Sequence, residues 1–395
     1  MAFWKCIFFT GIFIFLYNYI GYAFIIYFIN KIAPKFKNIK PENYYPSVTF
    51  IVAAYNEQEI IEKKIENTLR LSYPLTQIEY IFITDGSTDN TMSVIERFPE
   101  IKLLHKPARE GKSSALNRAV LAAKNEILII SDANTFLNTN AIELITCHYS
   151  DKLTGGVAGE KRVIASADDN SNIGGREGLY WRYESFLKKI DSDFYSVVGA
   201  AGELFSVRRN LYENLPASTI LDDFVVSLKT AEKGYRIIYE PGAYAMEFAS
   251  ASLKDEKKRK IRIAAGGFQS IAMLSSLFKF WKHPRLTLLY VSHRVLRWTL
   301  SPLALILILI SNFILSVNTH SLFYIICLIA QIIFYFTAFI SKYIPSNSKL
   351  KALKVTGYFV FMNVSVIQGF FRFIFKKQNS AWEKVSRSAA AIHVD

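Results

Sequence analysis

Val48-Thr49-Phe50-Ile51-Val52-Ala53-Ala54-Tyr55-Asn56-Glu57 opens a part of the chain in which strand-like and helix-like runs alternate. Residues 48–53 read as a buried strand, and residues 57–70 follow with helical periodicity. The pattern then repeats. Residues 78–84 are a second strand, with a helix beginning near Ser87–Asn90; residues 101–105 are a third, with residues 111–124 helical; residues 126–131 are a fourth. Strand and helix in alternation predict an α/β fold with an open, mainly parallel sheet and right-handed crossovers. Ligands of such sheets bind beyond the carboxyl ends of the strands. No internal repeat or low-complexity segment is present.

The polar residues fall where that rule looks for them. Ala54-Tyr55-Asn56-Glu57 follows the first strand, Asp85-Gly86-Ser87-Thr88-Asp89-Asn90 the second, and Asp132-Ala133-Asn134 the fourth. Converging carboxylates repel one another unless a cation or donor group joins them. A hard divalent metal with a diphosphate suits such oxygen ligands. Each cluster alone also reads as a turn, with Ser87 or Thr88 as a helix N-cap. Three at successive strand ends are hard to assign to capping alone. A dinucleotide site would want Gly-x-Gly-x-x-Gly after the first strand, and none is there. The stretch Arg109-Glu110-Gly111-Lys112-Ser113 lacks the first glycine of a P-loop.

Outward from this middle the composition changes. Of 395 residues, 51% are hydrophobic and 15% aromatic, and the formal net charge is +14. This excludes a disordered chain. Three distant cysteines, Cys6, Cys147 and Cys327, exclude a disulfide scaffold. Residues 6–30 carry no charge, enough for one membrane-spanning anchor, and no small-x-small site follows to suggest a cleaved signal. Residues 298–341 carry no Lys, Arg, Asp or Glu, room for two spans with a turn at residues 316–320. Residues 356–371 form a last, shorter apolar run, either a third span or a re-entrant or interfacial helix. Lys31, Lys35, Lys37 and Lys40 follow the first span, and Lys342, Lys349, Lys351 and Lys354 the third, so both segments are expected on the cytoplasmic side. The expected organisation is an anchor (1–30), a cytoplasmic catalytic domain (41–266), amphipathic interfacial helices (267–297, broken at Pro284), a transmembrane region (298–375) and a basic tail (376–395). The side of the tail, with Lys376, Lys377, Lys384 and Arg387, depends on whether residues 356–371 span. Much of the positive charge flanks membrane segments, so membrane lipid rather than nucleic acid is the expected partner.

The segments at residues 48–57 (VTFIVAAYNE), 81–91 (IFITDGSTDNT), 111–117 (GKSSALN) and 131–134 (SDAN) resemble glycosyltransferase family 2. The branch they resemble is the membrane-integrated one, with the synthases of cellulose, chitin, hyaluronan and poly-N-acetylglucosamine. The resemblance continues through residues 199–209 (GAAGELFSVRR), 222–224, 234–240 (GYRIIYE), 259–267 (RKIRIAAGG) and 382–387 (WEKVSR). It implies a GT-A nucleotide-sugar-binding domain and inverting transfer of a sugar, in a bacterial inner membrane. The donor would be a UDP-linked nucleotide sugar and the acceptor a growing surface polysaccharide. A lipid-linked acceptor such as a polyprenyl phosphate is the alternative, and a non-catalytic scaffold is disfavoured by the intact acidic residues.

The resemblance also implies roles. Ala54, Glu57 and Asp85 would hold the nucleoside, with Lys112 near the nucleotide. Asp132 belongs to the motif that binds diphosphate with a divalent metal, Mg²⁺ or Mn²⁺. Asp223 would be the catalytic base and Asp222 its neighbour; paired carboxylates raise one pKa, which suits a base near neutral pH. Asp222-Asp223 also reads as the start of a helix ended by Gly234. Two positions depart from the family pattern. Asn134 stands where a second metal-binding Asp is usual; an amide oxygen still ligates a hard metal, with one charge fewer. Arg259-Lys260-Ile261-Arg262-Ile263 stands where processive members carry Gln-x-x-Arg-Trp. Arg262 keeps the phosphate-pairing position, with Arg259 beside it, but Ile263 replaces the sugar-stacking Trp.

Overall fold

The computed structural model describes residues 1–32, 41, 44–164, 173–248, 252–344 and 353–376. Lys35, Lys37, Lys40, Lys349, Lys351 and the tail from residue 377, with its 382–387 stretch, lie outside the described residues. From the N-terminus, α1 (Ala2–Leu16) passes through a π-helical turn (Tyr17–Gly21) into α2 (Tyr22–Ile32). Then come β1 (Val48–Ala54), α3 (Ile61–Leu69), β2 (Ile78–Asp85), α4 (Thr91–Ile95), β3 (Ile101–Lys106), α5 (Lys112–Ala122) and β4 (Ile127–Asp132). After β5 (Phe136–Leu137) and α6 (Ala141–Thr146), β6 (Thr154–Ile164) leads to the long α7 (Ile173–Phe194). The strands end with β7 (Phe205–Arg208), α8 (Asp222–Glu232) and β8 (Arg236–Phe248). The remainder is helical: α9 (Leu253–Met273), α10 (Pro284–Tyr290), α11 (Leu296–Trp298), α12 (Leu300–Thr319), α13 (Leu322–Ile340) and α14 (Leu353–Ile374).

One eight-stranded sheet runs in the order β3-β2-β1-β4-β7-β6-β8-β5. β3, β2, β1 and β4 are parallel neighbours, and so are β6 and β8. β7 runs antiparallel to both β4 and β6, so it is a reversed strand between two parallel blocks that run in the same direction, and β5 is antiparallel to β8. β1 lies between β2 and β4 and is buried along its whole length. Its side chains alternate between two cores, as the two-residue period of a strand requires. Val48, Phe50, Val52 and Ala54 meet Ile61 and Ile65 of α3, while Ile51 and Ala53 share the other face with α5 and α8.

That second core reaches into the apolar ends of the chain. Tyr22, Ala23 and Ile26 of α2 and Leu286, Leu289 and Tyr290 of α10 are buried in it. The apolar residues of α10 therefore face the α/β domain. In the same 267–297 segment, Phe278, Phe280 and Trp281 are exposed beside Lys279 and Lys282.

Among the described residues, four helical stretches are long and apolar enough to cross a membrane: Ala2–Ile32, Leu300–Thr319, Leu322–Tyr343 and Leu353–Ile374. Two details differ from the sequence expectation. Residues 316–319 do not form the turn between the second and third stretches; they stay in α12. The Ser316 and Thr319 hydroxyls and the Asn318 amide donate to the carbonyls of Phe313, Leu315 and Ile314, which satisfies them inside the helix. The chain turns at His320, in the left-handed region at φ 49°, and Ser321. The last apolar run is also longer than its uncharged residues indicate. α14 is one continuous helix of 22 residues, because Lys354 is buried within its first turn and Arg372 sits within its last.

Candidate active site

The loops after β1 and β2 are locked together by their polar residues. The Asn56 amide side chain donates to Thr88 Oγ1 and accepts from the Thr88 N–H, and the N–H groups of Asn56 and Glu57 donate to Ser87 Oγ and Thr91 Oγ1. Ser87 and Thr88 do not cap α4; its N-cap is Asn90, which makes no side-chain cap bond. Asp85, at the end of β2, is buried. Its Oδ2 accepts from the N–H groups of Glu110 (2.8 Å) and Gly111 (2.6 Å), and its Oδ1 from Arg118 (2.8 Å). Asp85 thus holds the turn that launches α5, whose first residue is Lys112.

Lys112 ties the next group together. Its Nζ lies 2.7 Å from Asp132 Oδ1, at the end of β4, and 3.8 Å from Asp222 Oδ2, at the start of α8. The N-cap of α8 is Leu221, with no side-chain cap bond, so Asp222 and Asp223 are the first two residues of the helix. Their charges are favoured there by the helix dipole. Gly202 lets these elements approach: a Cβ at that position would stand 3.1 Å from Lys112 Nζ and 3.4 Å from Asp223 Oδ2. Gly199, at φ +82°, makes the turn that precedes it, and a side chain there would overlap the Phe224 ring.

These groups line a cavity of about 300 Å³. Of the ten site residues expected from sequence, Lys112, Asp132, Asp222, Asp223, Arg259 and Arg262 line it together. Ala54, Glu57, Asp85 and Asn134 lie outside its lining; Ala54 and Asp85 are buried at the ends of their strands. α9 brings Arg259 and Arg262 to the cavity. Arg259 also reaches Glu256 at 3.1 Å and Glu247 at 3.8 Å. Met362, Ser365 and Val366 of α14 complete one wall.

The electrostatics follow from burial. Asp223 is pushed up to about 7, first by desolvation and then by the neighbouring charges of Asp222 and Glu203. Asp132 is raised by burial, against the pull of Lys112. Burial alone would lower Lys112, but Asp132, Asp222 and Asp223 together hold its ammonium well above the ordinary lysine range.

Several lining residues have no counterpart in the sequence reading. Lys161 on β6 is buried between the carboxylates of Glu203 and Glu247, and both hydrogen-bond it. Glu184 on α7 accepts from Arg294 (2.9 Å) and from Arg297. Such pairs join residues more than 40 positions apart, and a strand or helix pattern carries no local sign of them. Only Glu203 stood inside a quoted motif.

Oxygen donors for a metal are present at the end of β4, in Asp132 and Asn134. Among the described residues no group of three or more His, Cys, Asp or Glu forms a metal cage. The donor set therefore fits an ion shared with phosphate oxygens and water better than one held by protein alone.

Residues 49–215 match the family model described as Glycosyl transferase family 2. The poly-beta-1,6-N-acetyl-D-glucosamine synthase of Staphylococcus aureus (strain COL) is 28% identical over 302 residues, 73% of this chain and 70% of that protein. The protein of the same name from Staphylococcus epidermidis is 26% identical over 285 residues, 69% of this chain and 66% of that protein. Among solved structures, a mannosyltransferase from Pyrobaculum calidifontis in complex with GDP-Man and Mn²⁺ has a TM-score of 0.69 at 22% identity, covering 95% of this chain and 100% of that one. The fold is accordingly GT-A, residues 49–215 match the model of glycosyl transferase family 2, and the chain is a glycosyltransferase.

Proposed function

We propose that the protein is a membrane-bound inverting glycosyltransferase that moves a sugar from a cytosolic, UDP-linked donor onto a growing surface polysaccharide. The observation that carries this reading is the Asp223 carboxyl. It lines one cavity with Lys112, Asp132 and Arg262, where burial first and then the charge of Asp222 push its pKa up to about 7. The names of the staphylococcal relatives make N-acetylglucosamine the first sugar to test.

In this reading Asp223 takes the proton of the acceptor hydroxyl as that oxygen bonds to the anomeric carbon. The bond from that carbon to the donor's phosphate oxygen breaks, and its electron pair leaves on the nucleoside diphosphate. Lys112, Arg259 and Arg262 meet the negative charge that grows there. Asp132 and Asn134 would hold a divalent metal, Mg²⁺ or Mn²⁺, which supplies Lewis-acid stabilisation of the leaving diphosphate. Asp85 keeps the 110–111 turn in place for Lys112 and borders the nucleoside, with Ala54 and Glu57 on the neighbouring strand end. The four apolar stretches hold the enzyme in a bacterial inner membrane with its cavity on the cytoplasmic side.

A second reading has its own observation. Ile263 stands where a sugar-stacking Trp is usual, and the cavity wall includes Met362 and Val366 of a membrane-length helix. Both suit a single transfer to a lipid-linked acceptor. Purified protein with Mn²⁺ and a panel of radiolabelled nucleotide sugars separates the readings. A ladder of products from UDP-N-acetylglucosamine supports polymerisation, and one added sugar on lipid supports the second reading. Transfer from none of the UDP sugars contradicts both.

A further inference from the structure

Lys64 lies on α3, on the far side of β1 from α5, and its side chain is 0% exposed. Its aliphatic stem sits among the core residues, and its ammonium lies 5.7 Å from the Phe50 ring centroid. The Nζ donates to Ser131 Oγ at 2.8 Å and to the Thr135 carbonyl at 2.8 Å. These residues bracket the Asp132-Ala133-Asn134 turn on both sides. The hydroxyls of these two residues extend the network. Ser131 Oγ donates to the Glu203 carbonyl at 3.0 Å, and Thr135 Oγ1 donates to the Asp132 carbonyl at 2.9 Å. One ammonium therefore ties together the end of β4, the turn that follows it and the segment carrying Glu203.

A buried ammonium is an expensive way to fill a core position, and an apolar side chain of like length would fit at lower cost. Neither of the two acceptors is a carboxylate, so the group is not there as half of an ion pair. What it supplies is a rigid, two-point hold on a turn whose own backbone is irregular. Second hydrogen-bonding layers of this kind orient metal-binding carboxylates, and their loss commonly lowers metal affinity by about ten-fold or more.

We propose that Lys64 is a positioning residue for the 132–134 turn: by fixing Ser131 and Thr135 it aims Asp132 and Asn134 at the metal and diphosphate of the donor. The proposal rests on the reading of Asp132 and Asn134 given above. Burial pushes the Lys64 ammonium down to about 7, with the nearby charge of Asp132 drawing it back up.

The test measures Mn²⁺ affinity of the full-length protein with UDP present, by electron paramagnetic resonance of free Mn²⁺, and UDP affinity in EDTA by calorimetry. Lys64→Met is expected to fold, to raise the Mn²⁺ Kd by about ten-fold, and to leave metal-free UDP affinity within about two-fold. Ser131→Ala, which removes one acceptor and keeps the lysine, is expected to move the Mn²⁺ Kd the same way by less. A folded Lys64→Met with the wild-type Mn²⁺ Kd overturns the proposal. If Lys64→Met does not fold, an unchanged Mn²⁺ Kd in Ser131→Ala overturns it instead. Wild-type protein that binds Mn²⁺ no better than Asp132→Asn would sink the metal reading itself, and the proposal with it. Wild-type and Asp132→Asn proteins that differ, beside a Lys64→Met that does not, would sink the proposal alone.

Discussion

Asp223 shows how one residue's surroundings set its chemistry. A carboxylate in water titrates near 4; burial first, then the charges of Asp222 and Glu203, bring this one up to about 7. The base role proposed for Asp223 requires its ionised form, so log kcat/KM for transfer should fall with unit slope as pH drops below about 7. A pH–rate profile of the purified enzyme checks this. The same shift has a consequence for stability. A carboxyl whose folded pKa lies above its unfolded one stabilises the fold when protonated. That contribution is complete below about 4 and lost as pH rises through about 7. Asp223→Asn should therefore have a higher Tm than wild type at pH 8, and the gap should close as pH falls toward 4. Thermal unfolding at several pH values measures it. Asp222, Asp223, Lys112 and Asp132 were legible in the sequence because each follows a strand or opens a helix. Lys161, Glu203 and Glu247 were not legible as a unit. Their meeting depends on β6, β7 and β8 being placed beside one another, and no local pattern encodes that.

At the level of elements, α9 and α14 carry the most consequence for the site. α9 presents Arg259 and Arg262 to the cavity, and α14 packs along it. The contact is close at Gly369, where a Cβ would lie 2.5 Å from the Ala264 Cβ and 2.9 Å from the Ala265 nitrogen. Gly369→Leu must push the helices apart. The expected cost is about 1–3 kcal/mol of stability, seen as a lowered Tm, together with a raised KM for the donor as the two arginines shift. Gly369→Ala should show the same changes more weakly. The parallel strands β1, β2 and β4 and their helices were readable as alternating runs bounded by turn residues. The reversed β7 was not, because a four-residue strand of ordinary composition gives no sign of its direction. The length of α14 was hidden for a different reason. Lys354 and Arg372 look like the ends of an apolar run, yet a helix continues through charged residues wherever neighbouring elements or a lipid boundary receive them.

Across the whole molecule, the first apolar stretch is attached to the α/β domain by a buried polar junction. Tyr22 donates to Asp191 Oδ1 at 2.5 Å, and His293 Nδ1 lies 2.5 Å from Asp191 Oδ2. Beside it the Tyr17 hydroxyl meets Ser292 Oγ at 2.7 Å, and Asn18 Nδ2 donates to the Ser292 carbonyl at 2.7 Å, where two π-helical turns face each other. Tyr22→Phe leaves a buried carboxylate short of a donor and should cost about 1–3 kcal/mol. A lowered Tm with unchanged KM for the donor is the expected result, since Tyr22 does not line the cavity. The cavity wall joins residues of the α/β domain to residues of α14, so the cavity and that membrane-length helix are built as one packed unit. The proposed transfer through Asp223 is checked by incubating the purified full-length protein with radiolabelled UDP-N-acetylglucosamine and Mn²⁺, in wild-type and Asp223→Asn forms. Wild type is expected to give labelled saccharide or lipid-linked product, and Asp223→Asn at least a hundred-fold less, roughly the loss of a general base. Equal transfer by the two proteins would overturn the assignment of Asp223 as the base.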